Sequence, residues 1–155
     1  MRDDQGNATL ITVVLLPLLV LVLGAVLDLG MLRQGAAAVR AAADLAALVA
    51  VNDQDEGALA RHGELRLAGD AESVAREYLA RNLAPLPRLG ATAWDVAAAA
   101  DVAVFPDGGV DPRDGSTYES PTVRVIADVP LRTGLLRALL GPTVVVRAHA
   151  AAAAR

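Results

Sequence analysis

Few residues in this 155-residue chain have the type and spacing that chemistry needs. Its two histidines, His62 and His149, lie in different segments with no H-x-x-x-H spacing, and there is no cysteine to complete a zinc set. Ser73, Ser116 and Ser120 lack the G-x-S-x-G setting that exposes a nucleophile on a sharp strand-to-helix turn. The run Asp107-Gly-Gly-Val-Asp111-Pro-Arg-Asp114-Gly collects carboxylates, the hard oxygen ligands of calcium. It misses the D-x-[DN]-x-[DN]-G pattern, however, and Arg113 sets a cation in its middle, so a solvated turn is the expected reading. Gly108-Gly109 alone is no phosphate loop. No catalytic, metal or cofactor residue is assigned, and no enzyme activity is expected.

Asp28 is the residue with the strongest claim to a role, because it ends a long uncharged run. Two readings are open. Its carboxylate pairs with a basic group on a neighbouring subunit, or it marks the bilayer edge, where it reaches water at little cost.

The element that positions Asp28 is the run Ala8 to Leu27, twenty residues with no charge and fourteen Leu, Ile or Val. As a helix it spans about 30 Å, the thickness of a bilayer's hydrocarbon core. Those side chains favour insertion by roughly 4 to 8 kcal/mol on the translocon scale. Pro17 and Gly24 weaken the helix but are tolerated in membranes. A cleaved signal peptide needs a basic start and a shorter apolar stretch. This chain begins Met-Arg-Asp-Asp-Gln-Gly, so Gly24-Ala25 is a poor cut site and an uncleaved anchor is expected. Arg2 on one side, against Arg33 and Arg40 on the other, leaves orientation open on charge alone.

From Asp28 to Val51 only Gly30 and Gly35 interrupt a strong helix-forming composition. Leu32, Ala36, Val39, Ala43, Ala46 and Ala50 recur at 3–4 spacing, so one face is a stripe of mostly small residues that admits another helix or a sheet closely. Arg40 and Asp44 stand at i,i+4, where they can pair.

Composition agrees. Hydrophobic residues make up 54% of the chain, but 33 residues are alanine, which adds little core volume. One Trp, one Phe and two Tyr exclude a large aromatic core. A net charge of −4 argues against nucleic acid as a partner. The basic residues are all arginine, which together with the alanine suggests a GC-rich bacterial genome.

Gly6 in a charge-poor start, the apolar anchor, Val26-Leu27-Asp28-Leu29-Gly30, Gln34, and Ala41-Ala42-Ala43-Asp44-Leu45-Ala46-Ala47-Leu48 together resemble the TadE/TadG-like proteins of bacterial Flp (tight adherence) pilus assembly. The resemblance covers about residues 3–51. It implies a single-pass protein of the bacterial inner or cytoplasmic membrane, with most of the chain outside the cytoplasm. It also implies that Gly6, Asp28, Gly30, Gln34, Ala43, Asp44, Ala47 and Leu48 are family-motif and helix-packing positions. Family members processed by prepilin peptidase carry Gly followed five residues on by Glu. Here Ile11 stands at that distance from Gly6, closer to the unprocessed TadG-like members.

The remainder reads as a small outer domain. Residues 52–69 form a polar loop with a helical turn near Leu59. Asp70 opens and caps a helix whose apolar stripe is Val74, Ala75, Tyr78, Leu79 and Leu83, and Pro85 and Pro87 stop it. From about Ala93 strands are expected: Trp94 to Phe105, then a turn at Pro106–Gly109, then Pro121 to Pro130 with period-2 alternation. Leu131 to Leu140 reads as a short helix closed by Gly141-Pro142, and Thr143 to His149 as a third strand trailing into alanines.

The expected fold class is therefore α+β. A tail (1–7), a transmembrane anchor (8–27) and an Ala-rich helical stalk (28–52) precede a small domain (53–155). That domain has an antiparallel sheet of about three strands and one or two helices, pilin-like in outline. Its expected function is that of a non-enzymatic, minor-pseudopilin-like structural or assembly component of a Tad/Flp pilus or secretion apparatus. The expected partners are the bilayer and other subunits meeting the Ala-rich helix, with no small-molecule substrate. The alternative is a membrane-tethered or secreted envelope-binding domain unrelated to pili.

Overall fold

The structure, a computed structural model, describes residues 3–55, 59–61, 63 and 67–154, with side chains from Thr12 onward. His62, Arg2 and part of the 52–69 loop fall outside these residues.

One helix, α1 (Asp3–Asn52), runs for 50 residues, about 75 Å at 1.5 Å per residue. Pro17 lies inside it without ending it. The helix has two chemically different halves. From Val13 to Leu29 the large apolar side chains are exposed in almost every direction, and no described residue covers them. From Val39 the pattern reverses: Val39, Ala42, Ala43, Ala46, Ala47, Ala50 and Val51 are buried at helical spacing. This is the small-residue stripe read from the sequence, widened by one column.

The rest of the chain folds against that stripe. Helix α2 (Ala71–Leu83) lays Ala71, Ala75, Leu79, Ala80 and Leu83 inward, with Val74 and Tyr78 half-buried. Asp70 precedes it but makes no side-chain cap; instead the Ser73 hydroxyl donates to the Asp70 carbonyl at 2.7 Å. A three-stranded antiparallel sheet, in the order β1 (Asp101–Phe105), β4 (Thr122–Arg132), β5 (Thr143–Ala153), forms the other wall. The main sheet thus has the expected number of strands. A two-residue hairpin, β2 (Gly109–Val110) with β3 (Thr117–Tyr118), is added beside it.

Strand alternation divides the faces. Val123, Val125, Ala127, Val129 and Leu131 of β4 enter the core, joined by Ala148 and Ala150 of β5. Alanines on β5 face alanines on α1, and the absence of bulk on both sides lets helix and sheet approach closely. The first four residues of β4, Thr122 to Val125, are buried on both faces, with Val123 and Val125 in the core and Thr122 and Arg124 on the other side.

Three segments differ from expectation. Residues Ala93–Ala99 are a helix, α3, and not the start of a strand. Thr92 caps it by accepting the Asp95 N–H at 3.1 Å, and Asp95 complements the helix dipole, so the T-A-W-D start overrides the aromatic's strand preference. Leu131 and Arg132 extend β4, leaving only Arg137–Leu140 as a helical turn, α4. The terminal alanines through Ala153 continue β5, because pairing with Thr122 to Ile126 outweighs alanine's helix propensity.

A buried carboxylate at the end of the apolar run: candidate functional site

Asp28 stands one residue beyond the apolar run, on a part of α1 that meets the outer domain. Its side chain is only 3% exposed. The Gly134 N–H donates to both carboxylate oxygens, at 3.1 and 3.0 Å, and the Leu136 N–H donates to Oδ2 at 3.0 Å. The guanidinium of Arg88, 32% exposed, donates to Oδ1 and completes an ion pair. A carboxylate leaves water cheaply only when its lone pairs are filled, and here charged and backbone donors fill them together.

The clasp joins parts of the chain 60 and more than 100 residues apart. Arg88 follows Pro85 and Pro87, which end α2 and turn the chain back toward α1. Its carbonyl accepts the Arg132 N–H at 2.7 Å, which locks the segment to the end of β4. Gly134 is required by close approach: a Cβ there would lie 2.6 Å from Asp28 Oδ1. The basic group that Asp28 meets is thus within its own chain.

The remaining motif positions separate by face. Ala43 and Ala47 are fully buried under the sheet and α2, while Asp44 and Leu48 point outward. Gly6 lies within the first turn of α1, and Gly30 is open, with no atom near the place of a Cβ. Gln34 lines a shallow apolar cavity of about 180 Å³ with Met31, Gly35, Leu86, Arg88 and Leu131. The alanine face, expected to admit another helix or a sheet closely, is occupied by this chain's own strands and α2. Arg40 and Asp44 do not pair, and both stay at the surface.

A second charged cluster lies on the opposite face of the sheet. Arg124, 4% exposed, donates to both oxygens of Asp101 at 3.3 and 3.4 Å. Its Nε is 2.6 Å from Oδ2 of Asp111, which has no exposed surface. That contact is an ion pair with poor hydrogen-bond alignment, since neither atom has a well-directed partner. Arg113 closes the group on Asp101, and its N–H donates to Asp111 Oδ1 at 2.9 Å. The loop read as a solvated turn is thus pinned by an inward-facing aspartate, and its own Arg113 joins Arg124 of β4 in the cluster. Asp114 is held below the ordinary carboxylate range by hydrogen bonds from the Ser116 N–H and hydroxyl. Among the described residues no group of three His, Cys, Asp or Glu could hold a metal ion.

Sequence reasoning singled out Asp28 but missed Arg88, Gly134 and the Arg124 cluster. A lone arginine after two prolines and a glycine after a threonine carry no local signal. Arg124 offered one, as the only charge on a four-residue stretch of Val and Ile.

No curated protein and no solved structure matches the chain. Residues 6–53 do match a family model, that of the Flp pilus-assembly TadE/G-like proteins, and this segment, just under a third of the chain, is α1 from its first turn to one residue past its end.

Proposed function

We propose that this chain is a non-enzymatic, single-pass membrane component of a Tad/Flp-type pilus or secretion apparatus, minor-pseudopilin-like, with its sheet domain outside the cytoplasm. The observation that carries the reading is the coincidence of the family match with one continuous helix whose first half is apolar and uncovered by protein. A soluble core helix would have its large side chains covered; here Val13 to Leu29 are left to a surrounding apolar phase. The anchor (8–27) and the helical segment 28–52 then act as one rigid rod, with the outer domain built around its far half. Subunit contact, in this reading, uses the outward ridge of Asp44, Leu45 and Leu48, since the alanine face is already filled.

Deletion of the gene in the source bacterium, with complementation by the full chain, tests the function. Loss of surface pili or of pilus-dependent secretion, restored by the full chain, is the expected result, and unchanged piliation refutes the proposal. Amino-terminal sequencing of the membrane fraction tests the anchor. An intact Met1 supports it, a start at Asn7 indicates prepilin-type processing, and a start near Ala25 refutes it.

A further inference from the structure

The segment between β4 and β5 carries a feature that the pilus reading does not use. Leu135, Leu139 and Leu140 are exposed, Leu135 at 69% and Leu139 at 83%. A solvated loop gains nothing from three bare leucines. Nor is this loop loose: the Thr133 hydroxyl donates to the Gly141 carbonyl at 2.5 Å, the Thr133 N–H donates to the Pro142 carbonyl at 3.1 Å, and Asp28 holds Gly134 and Leu136.

Its position is informative. Leu135 Cδ1 occupies the space that a Cβ on Gly24 would take. Gly24 is four residues inside the apolar run, about 6 Å below Asp28 along the axis. Leu135 therefore continues the exposed apolar surface of α1 sideways, at the depth where headgroups give way to acyl chains, and Leu139 and Leu140 are exposed on the same short segment. Arg132 and Arg137, both exposed, flank them, and Arg88 stands beside them on Asp28. Leucine below and arginine at the rim is the pattern of an interfacial element, whose cations reach phosphates while the apolar side chains enter the lipid.

We propose that residues 133–141 form a lipid-inserted wedge, with Leu139 and Leu140 among the acyl chains of the outer leaflet and Leu135 bridging to Gly24 of α1. The occupant of this surface is the bilayer, because the patch is continuous with the membrane span, and the inference rests on α1 crossing the membrane. The Asp28 clasp then sets the depth of the wedge. Anchor and wedge together hold the outer domain at a fixed height and tilt on the membrane, as a second attachment point beside a single helix.

The chain has no cysteine, so single-cysteine probes are unambiguous. Leu139→Cys, Val20→Cys and Leu48→Cys, each exposed, carry an environment-sensitive fluorophore in the full chain reconstituted into phosphatidylethanolamine–phosphatidylglycerol vesicles with brominated acyl chains. Position 20 reports the span, and position 48, about 30 Å beyond Asp28, reports water. The expected result is bromine quenching at 139 approaching that at 20, with none at 48. Quenching at 20 but a solvent-like, unquenched probe at 139 overturns the wedge and leaves the anchor standing. A blue-shifted but unquenched probe at 139 means that protein covers the leucines, and it also overturns the wedge. An unquenched probe at 20 removes the membrane reading and the wedge with it.

Discussion

Whether the small-residue face of α1 serves its own sheet or a neighbouring subunit can be decided at one contact. Gly35 faces Leu131 of β4, and a Cβ on Gly35 would lie 2.9 Å from Leu131 Cδ1. That is about 0.6 Å inside the favourable carbon–carbon range. Gly35→Ala gains about 1 kcal/mol in helix propensity. Against it stands overpacking, which costs roughly 1–3 kcal/mol. The 180 Å³ cavity beside Leu131 gives that side chain somewhere to turn, so the lower end applies and the two terms nearly cancel. Leu131→Ala alone costs about 2–3 kcal/mol, the low side for a buried leucine because the site borders the same cavity. In the double variant the clash is gone, and Gly35→Ala shows its helix gain of about 1 kcal/mol. The two substitutions therefore couple by about 1 kcal/mol. Urea unfolding of the full chain in mild detergent, followed by the fluorescence of Trp94, measures all four corners of the cycle. If Gly35→Ala stabilises equally with and without Leu131, the helix is not packed on the sheet as described.

Three further outcomes follow from other sites. Asp28→Ala should abolish hydrogen-exchange protection of the Gly134 and Leu136 amides, whereas Asp44→Asn should leave it intact; retained protection in Asp28→Ala would show that the loop is held by something else. Arg124→Ala leaves Asp111 buried beside no cation and should cost roughly 3–5 kcal/mol, read as a lowered melting temperature, while a shift near zero would mean that the cluster is solvated. Asp53 is pushed above the ordinary carboxylate value, first by burial and then by the charge of Asp70. Folding therefore takes up a proton between the ordinary and the raised value, so this aspartate favours the fold below that window and penalises it above. Asp53→Asn should stabilise the chain at neutral pH, with the advantage shrinking as pH falls through the window; a constant difference across pH would refute the assignment.

How much of this was legible in the sequence depends on the range over which each signal acts. The inward stripe from Val39 to Ala50 and α2 with Leu79 and Leu83 were readable because helical periodicity repeats within a few residues. The alternation of Val123, Val125, Ala127 and Val129 placed β4 for the same reason. Ile126, apolar where that alternation calls for a polar residue, lies half-buried on the other face. Helix α3 was mistaken for strand because Trp94 and the valines suggested β structure, while the deciding contact was the cap at Thr92. Arg76 secures the end of that helix by donating to the carbonyls of Ala97, Ala98 and Ala100, a role set by residues more than twenty positions away.

Asp28 shows both sides of this division. Its end-of-run position, the apolar length before it and the small-residue helix after it are one-dimensional facts, and they were enough to place a long apolar helix with its large side chains exposed and an α+β domain beyond it. That the carboxylate is buried, that Arg88 and the Gly134 amide hold it, and that Leu135 is thereby brought against Gly24 depended on the folded chain. Hydrophobic period is a property of neighbours in sequence. The partners of a buried charge are chosen by which distant segments the packing of sheet on helix brings within 3 Å, and no local pattern encodes that distance.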